Sequence, residues 1–171
     1  MSDIVLKSRP SFLPLPKLLT DPLGLGFTVG AGIVATLAFD LFGQWLAPAL
    51  GYSRLAPAPL ASQVLQVMFG PFEAARAAGN WMHWFTGVFA YAFGYVLIAL
   101  PVARKIMPAL PGLVVATVYG AVLWIFALYV MAHLVAGNPA FLGFGELTWV
   151  ALVGHMVYAW ALAAVLALQG R

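Results

Sequence analysis

The sequence predicts an all-α membrane protein whose four transmembrane helices form an antiparallel bundle. Four stretches of 20 or more nearly charge-free residues carry this prediction, at about 25–47, 80–102, 111–136 and 146–168. Each stretch is long enough to cross a hydrocarbon core of about 30 Å at about 1.5 Å per residue. Lipid offers no hydrogen bonds to an exposed backbone, so such segments must span the membrane as helices.

The composition supports the same class of protein and excludes several others. Hydrophobic residues make up 64% of the 171 residues and charged residues only 8%, whereas a soluble domain carries about 25% charged residues. So few charges exclude a nucleic-acid-binding surface. The absence of cysteine excludes disulfides, thiolate metal sites and cysteine nucleophiles. We expect a single four-helix transmembrane domain over 25–171.

A cytoplasmic, proline-rich arm is predicted ahead of that domain, over 1–24. Four prolines among apolar and basic residues forbid a regular helix there. Two interpretations are open. One is an extended arm that lies on the cytoplasmic membrane surface or on a partner, and the other is a mostly disordered tail.

The distribution of lysine and arginine predicts the orientation in the membrane. Arg54 and Arg76 fall on one side of the predicted spans. Six basic residues fall on the other side: Lys7, Arg9, Lys17, Arg104, Lys105 and Arg171. Because basic residues in short loops favour the cytoplasm, we expect both termini to be cytoplasmic.

The long connection at about 48–79 is predicted to lie on the outer side. Apolar residues between Leu60 and Phe69 predict a short amphipathic helix, which a Gly-Pro pair then breaks. Pro71 can begin a second short helix that runs to Ala78, since the first turn of a helix does not need its missing N–H. The sequence therefore predicts an amphipathic helical hairpin at the outer membrane surface.

Two further features concern packing between the spans. The connection at about 103–110 is short, which predicts that spans two and three are antiparallel neighbours. In span three, helical spacing places Tyr119, Phe126, Tyr129 and His133 on one predicted face.

Seven glycines are predicted to allow close approach of the helices. Small residues line helix–helix interfaces in membranes because they let two backbones come together. The seven are Gly26, Gly30, Gly32, Gly87, Gly94, Gly120 and Gly154.

Polar side chains within the spans form the candidate site. Asp40 is the only carboxylate well inside any span, and such groups normally face protein or water rather than lipid. The expected topology places Asp40 in the outer half of the membrane together with Glu146 and the three histidines. The predicted polar cluster consists of Asp40, His83, His133, His155 and Tyr158.

Four interpretations of this cluster are open. In the first, the groups only hydrogen-bond across the bundle, with Asp40 paired to a histidine or tyrosine of another helix. In the second, Asp40 and His155 serve a proton-linked transporter or carrier. In the third, His83 and His133 are the axial ligands of a b-type haem near the outer leaflet. In the fourth, the same residues bind a quinone or another lipid. No metal site is predicted, and no cofactor beyond that haem alternative.

Nine positions spread over about 25–168 share a further pattern, in which odd spans carry Ala-Thr near their start and even spans carry a histidine followed by small residues. They are Ala35, Thr36, His83, Gly87, Tyr91, Gly94, Pro111, Gly112 and His155. This pattern resembles small bacterial inner-membrane proteins of the YagU type. The resemblance implies a bacterial cytoplasmic membrane and implies no particular activity.

The predicted function is that of a non-catalytic accessory or structural subunit of a larger energy-transducing membrane complex, respiratory or photosynthetic. No phosphate-binding loop, Gly-x-Ser-x-Gly or His-Glu-x-x-His motif is present, so no enzyme activity and no catalytic residue is predicted. Four thin helices are expected to enclose little cavity. The expected partners are the lipid bilayer and other membrane-protein subunits or further copies of this chain, and not nucleic acid.

Overall fold

A computed structural model describes residues 22–168 of the chain. Residues 1–21 and 169–171 lie outside the described residues. They hold nearly all of the predicted arm and four of the basic residues used for the orientation. The described part consists of five helices and one short turn. The helices are α1 Pro22–Ala49, α2 Pro57–Phe69, α3 Ala75–Ile106, α4 Gly112–Val135 and α5 Glu146–Leu168, and the turn is Ala140–Phe144.

The helices α1, α3, α4 and α5 confirm the all-α, four-helix membrane fold. Each is long and apolar enough to cross a membrane. α1 and α3 extend beyond their predicted spans at both ends, α4 is one residue shorter at each end, and α5 matches its span. Large apolar side chains such as Trp81, Ile98 and Leu134 are exposed on their outward faces. Apolar surface on this scale is stable against lipid rather than water. The chain is therefore a multipass membrane protein.

The four spans pack unevenly around the bundle. α1 packs along α5 and against the middle of α3, and α5 packs along α4. In contrast, α3 and α4 approach each other mainly over Tyr95–Ala99, towards the end of the bundle that holds Arg104 and Lys105. Spans two and three are thus neighbours only near their short connection. A short loop fixes the adjoining ends of two helices and leaves their far halves free to diverge.

The helix α2 bridges α3 and α4 at the opposite end, which we call the hairpin end. It packs along the start of α3 and against the Phe126–Val135 part of α4. The predicted hairpin is present, but its second arm is not a separate helix. Ala75 begins α3 itself, and the helix continues through Ala78 into the membrane. No proline follows Pro71 in this stretch, so nothing in the sequence stops the helix.

Five of the seven predicted packing glycines lie where another part of the chain approaches closely. Gly32 faces the backbone of Val88, and Gly120 faces the backbone at His155. A side chain at either glycine would overlap those backbone atoms. The other three are Gly87, Gly94 and Gly154.

The structure does not place the remaining two glycines, Gly26 and Gly30, at a helix contact. No atom of another element among residues 22–168 lies within 4 Å of where their Cβ atoms would be. The buried face of α1 runs through Thr28 and Ala35 instead. Helical rotation therefore turns the Gly-x-x-x-Gly motif away from the bundle.

Parts of α1, α3 and α4 are π-helical rather than α-helical. A π turn inserts one extra residue, is rare in proteins and occurs frequently at functional sites. Its effect is to rotate all the following side chains around the helix axis. The π-helical segments are Phe42–Leu46, Thr86–Tyr91, Tyr95–Ala99 and Phe126–Val135.

The π-helical segment of α4 corrects the predicted face of span three. The buried positions in α4 follow α-helical spacing as far as Leu123, and the next buried position is Leu128, five residues later. Tyr119 is buried, but Phe126 and Tyr129 are 41% and 38% exposed. The four aromatic positions therefore do not share one face, because the prediction assumed uniform α-helical spacing.

The Ala140–Phe144 turn has left-handed backbone geometry. The φ angles of Phe141 and Leu142 are 49° and 53°, a conformation that costs residues with a side chain about 1–2 kcal/mol each. The ring of Trp124 lies 4.7 Å from that of Phe141, and the Thr148 hydroxyl donates a hydrogen bond to the Phe141 carbonyl. These contacts hold the turn against the ends of α4 and α5.

Candidate functional site

A cavity of about 850 Å³ extends from α2 at the hairpin end towards the middle of the bundle. All five helices contribute to its wall. The volume falls within the range of about 300–1,000 Å³ that is typical of small-molecule sites. The expectation that four thin helices enclose little cavity is therefore wrong. The expectation considered only four parallel rods, whereas the diverging halves of α3 and α4 and the bridging helix α2 create additional space.

Polar contacts hold α2 in its bridging position. Gln63 Nε2 donates to the Ala136 carbonyl at 3.3 Å, and Asn138 Nδ2 donates to Gln63 Oε1 at 3.0 Å. Gln63 and Asn138 both line the cavity. This amide pair ties α2 to the connection that follows α4 at the hairpin end of the cavity.

The cavity opens sideways between α3 and α4. Several of its lining side chains are also exposed on the outside of the bundle, namely Phe85 and Ile98 of α3 and Val122 and Phe126 of α4. These residues lie on the facing edges of the two helices that diverge. Since the outside of these helices faces lipid, this opening connects the cavity to the bilayer.

The cavity wall is mostly apolar and carries no fixed charge. Among residues 22–168, no Lys, Arg, Asp or Glu side chain lines it. Its polar groups belong to eight side chains, seven from four helices and one from the connection that follows α4. They are Thr36, Gln63, His83, Thr86, Tyr91, Asn138, His155 and Tyr158.

Asp40 and His83 are hydrogen-bonded to each other between α1 and α3. His83 Nε2 donates to Asp40 Oδ1 at 3.0 Å, and Gln44 Nε2 donates to the same oxygen at 3.0 Å. The side chains of His83 and Asp40 are 13% and 17% exposed. This is the pairing that the first interpretation of the polar cluster predicts. His83 lines the cavity, whereas Asp40 lies behind it.

His155 lies deeper, about 13 Å along α5 at about 1.5 Å per residue. Its side chain is buried and lines the cavity, and its Nδ1 donates to the Ala151 carbonyl at 2.7 Å. The ring of Phe39 lies 5.1 Å from the ring of His155 and 6.0 Å from that of His83. No hydrogen bond joins Asp40 to His155 in the described part of the chain.

Two tyrosines hydrogen-bond to carbonyl groups of the π-helical segment Thr86–Tyr91. Tyr158 OH donates to the Gly87 carbonyl at 2.5 Å, and Tyr119 OH donates to the Tyr91 carbonyl at 2.6 Å. A π turn disrupts the regular ladder of backbone hydrogen bonds, and in lipid such carbonyls need partners from other helices. The two tyrosines therefore stabilise the distorted part of α3 that lines the cavity.

The structure places His133 apart from the rest of the predicted polar cluster. Its Nδ1 donates to the Asn138 carbonyl at 2.7 Å, and its ring packs on Tyr129. It does not line the cavity. It stabilises the end of α4 instead.

The arrangement of histidines does not fit the haem interpretation. Haem iron binds a ring nitrogen of each axial histidine. Nε2 of His83 already donates a hydrogen bond to Asp40, and His133 lies outside the cavity. Among the described residues, no three His, Cys, Asp or Glu side chains are grouped as metal ligands.

Several site residues were not singled out from the sequence. Thr86, Gln63 and Asn138 all line the cavity, yet none of them belongs to a recognisable sequence motif. Only the intramembrane tyrosines carried a usable signal, because a buried phenol in lipid requires a hydrogen-bond partner.

Comparisons of the chain with protein-family models, with curated proteins and with solved structures found no match. The resemblance to inner-membrane proteins of the YagU type therefore stays a prediction.

Proposed function

We propose that the protein binds a lipid-soluble molecule in its intramembrane cavity. The observation that carries this proposal is the sideways opening between α3 and α4 of an apolar cavity of about 850 Å³. A molecule dissolved in the bilayer can reach such a cavity without crossing water. This is the fourth interpretation of the predicted polar cluster, with the site formed by the cavity wall.

The apolar wall alone cannot select a ligand from the bilayer. Lipid tails are as apolar as Leu or Val side chains, so the hydrophobic effect does not drive a molecule from lipid into the cavity. Selection must come from shape and from hydrogen bonds to the polar groups on the wall. A specific ligand therefore has an apolar body and a polar group that those side chains recognise.

The accessory-subunit role stays a prediction. The cavity contradicts one reason for it, the expectation that four helices enclose little space, and no other observation tests it. A protein that holds a lipid-soluble molecule can also serve within a larger membrane complex. The proton-linked carrier has weaker support, since Asp40 bonds to His83 and not to His155.

The proposal is tested by filling the cavity. Ala90 lines it and is exposed at its opening, so Ala90→Trp places a large ring in the opening. We expect lipid-soluble molecules that co-purify with the wild-type protein, as detected by solvent extraction and mass spectrometry, to fall at least fivefold in this variant. A loss of that size requires only about 1 kcal/mol of binding free energy.

The matched control is Val118→Trp, which adds a similar ring on the exposed surface of α4 away from the cavity. It should retain the wild-type amount of bound molecule. If the wild-type protein carries no more extractable lipid-soluble molecule than Ala90→Trp, and binds none added in lipid nanodiscs, the proposed function is wrong.

A further inference from the structure

One buried group on the cavity wall has no partner for its second hydrogen-bonding atom. His155 is 6% exposed, and its Nδ1 is satisfied by the Ala151 carbonyl. Its Nε2 forms no hydrogen bond to any of the residues 22–168. Buried polar atoms in folded proteins are normally paired, so this atom marks where a ligand is recognised.

The hydrogen bond of Nδ1 defines what Nε2 requires. The Ala151 carbonyl can only accept, so Nδ1 carries the proton. No carboxylate lines the cavity to stabilise a charged imidazole, and an uncompensated charge inside the membrane is costly. His155 is therefore neutral and its Nε2 is an acceptor. It requires a hydrogen-bond donor, such as a hydroxyl, from the ligand.

Two hydroxyl groups on the same wall are unsatisfied donors. Thr28, Thr36 and Thr117 each donate to the carbonyl four residues earlier in their own helices. Thr86 lines the cavity and makes no such bond within the described chain. Among the buried or half-buried tyrosines of the cavity, Tyr158 donates to a carbonyl, whereas the Tyr91 hydroxyl has no partner among residues 22–168.

The absence of charge on the wall defines the rest of the ligand head. No Lys or Arg lines the cavity to bind a phosphate, and no Asp or Glu lines it to bind an ammonium group, as judged over residues 22–168. A charged head would lose its hydration without compensation. The ligand head is therefore uncharged, with at least one hydroxyl donor and one oxygen acceptor.

Aromatic side chains favour a flat head. The rings of Phe39 and His155 meet edge to face at 5.1 Å, and Tyr91 meets Phe126 in the same way at 6.3 Å. Edge-to-face and offset contacts of this kind stabilise a planar ring placed among them.

We propose that the cavity binds the head of a quinol, a planar ring that carries two hydroxyl groups and an apolar tail. His155 Nε2 accepts a hydrogen bond from one ring hydroxyl, and the hydroxyls of Thr86 and Tyr91 donate to ring oxygens. The tail leaves between α3 and α4 into the lipid. This inference rests on the proposed function and adds the class of ligand and the preference for its reduced form.

The test measures the binding of short-tailed quinol and quinone to the full chain in lipid nanodiscs without oxygen. The quinone has ring oxygens but no hydroxyl, so it leaves His155 Nε2 without a donor. We expect the wild-type protein to bind the quinol about tenfold more tightly than the quinone. His155→Leu should reduce this ratio to about one, whereas His155→Gln, which retains a side-chain acceptor, should preserve part of it.

Two further substitutions, each of which removes one hydroxyl group from the cavity wall, test the inference even if His155→Leu does not fold. Thr86→Val and Tyr91→Phe should each weaken the binding of both ring forms about fivefold. The matched controls are Thr117→Val and Tyr129→Phe, which remove the same hydroxyl groups from side chains outside the cavity. They should bind as the wild-type protein does.

Three results overturn the inference while leaving the proposed function in place. The first is equal affinity for quinol and quinone in the wild-type protein. The second is an unchanged ratio in His155→Leu together with unchanged binding in Thr86→Val and Tyr91→Phe. The third is displacement of the quinol by dioctanoylglycerol at equal or lower concentration, which would assign the hydroxyl to an acylglycerol head. Failure of every lipid-soluble molecule to bind contradicts the proposed function itself.

Discussion

The two sides of this bundle are built from similar apolar residues and pack in opposite ways. On the closed side, α5 packs along α1 and α4, and glycines such as Gly120 and Gly154 allow close contact between the packed elements. On the open side, α3 and α4 diverge, and large side chains such as Phe85 and Phe126 border the gap. Packing between membrane helices depends on small residues rather than on overall hydrophobicity.

The two sides also separate the stability of the bundle from the proposed binding of a ligand. The closed side holds most of the contacts between spans, so it determines whether the bundle forms. The open side forms few such contacts, so side chains there are available to a ligand. Substitutions on the closed side should therefore reduce stability, and substitutions on the open side should change binding or access.

The largest expected effect is on the closed side, from Gly120→Val. A Cβ at this position would lie 2.8 Å from the His155 carbonyl oxygen and 2.9 Å from the Cα atom of Met156. Backbone atoms cannot rotate away as a side chain can, so α4 and α5 must separate. We expect a loss of about 3 kcal/mol in the free energy of unfolding, measured by titration with SDS in mixed micelles.

Gly30→Val is the matched control, because nothing in the described part of the chain approaches within 4 Å of the Cβ position of Gly30. We expect its stability to stay within about 0.5 kcal/mol of the wild-type value. If the Gly120→Val protein were as stable as the Gly30→Val protein, close packing on the closed side would not determine the stability of the bundle.

The four spans and the hairpin helix could be predicted from the sequence because each depends on local composition. Length and apolar content determine whether a segment crosses lipid, and the Gly-Pro pair at Gly70 and Pro71 ends α2 whatever surrounds it. The pairing of Asp40 with a histidine was also predictable, since an intramembrane carboxylate needs a partner.

The cavity could not be predicted, because it depends on features that arise only when the helices pack. The π-helical segments of α3 and α4 rotate later residues to different faces, so Phe126 and Tyr129 leave the face that uniform spacing gives them. The amide pair of Gln63 and Asn138 joins residues 75 positions apart. No local pattern in the sequence encodes either feature.

A smaller effect is expected at the junction of the two sides, where the Asp40–His83 pair joins α3 to α1. Removing one partner leaves the other half-buried without its hydrogen bond. We expect a double-mutant cycle with Asp40→Ala and His83→Ala to give a coupling free energy of about 1 kcal/mol, near the upper part of the range for hydrogen bonds between membrane helices. The measurement is the same SDS titration on all four proteins.

A coupling near zero would mean that the pair adds nothing to the contact between α1 and α3. In that case the position of α3 depends on close packing alone, as at Gly32 and Gly87.

The smallest expected effect concerns α2, which closes the hairpin end of the open side. Gln63→Leu removes the hydrogen bonds to the Ala136 carbonyl and to Asn138 without removing the apolar packing of α2. We expect α2 to separate from α4 more often. The two hydrogen bonds, one of them long at 3.3 Å, together contribute about 0.7 kcal/mol on balance, which corresponds to about a threefold change in the open population.

The readout is the rate at which a thiol reagent labels a single cysteine placed by Leu128→Cys. Leu128 is buried and lines the cavity, and the chain has no other cysteine. Gln66→Leu is the matched control, because Gln66 donates only to Ser62 within α2 itself. Labelling should be about three times faster with Gln63→Leu and unchanged with Gln66→Leu. Labelling of both variants at the wild-type rate would show that apolar packing alone holds α2. The reagent would then reach the cysteine through the sideways opening between α3 and α4.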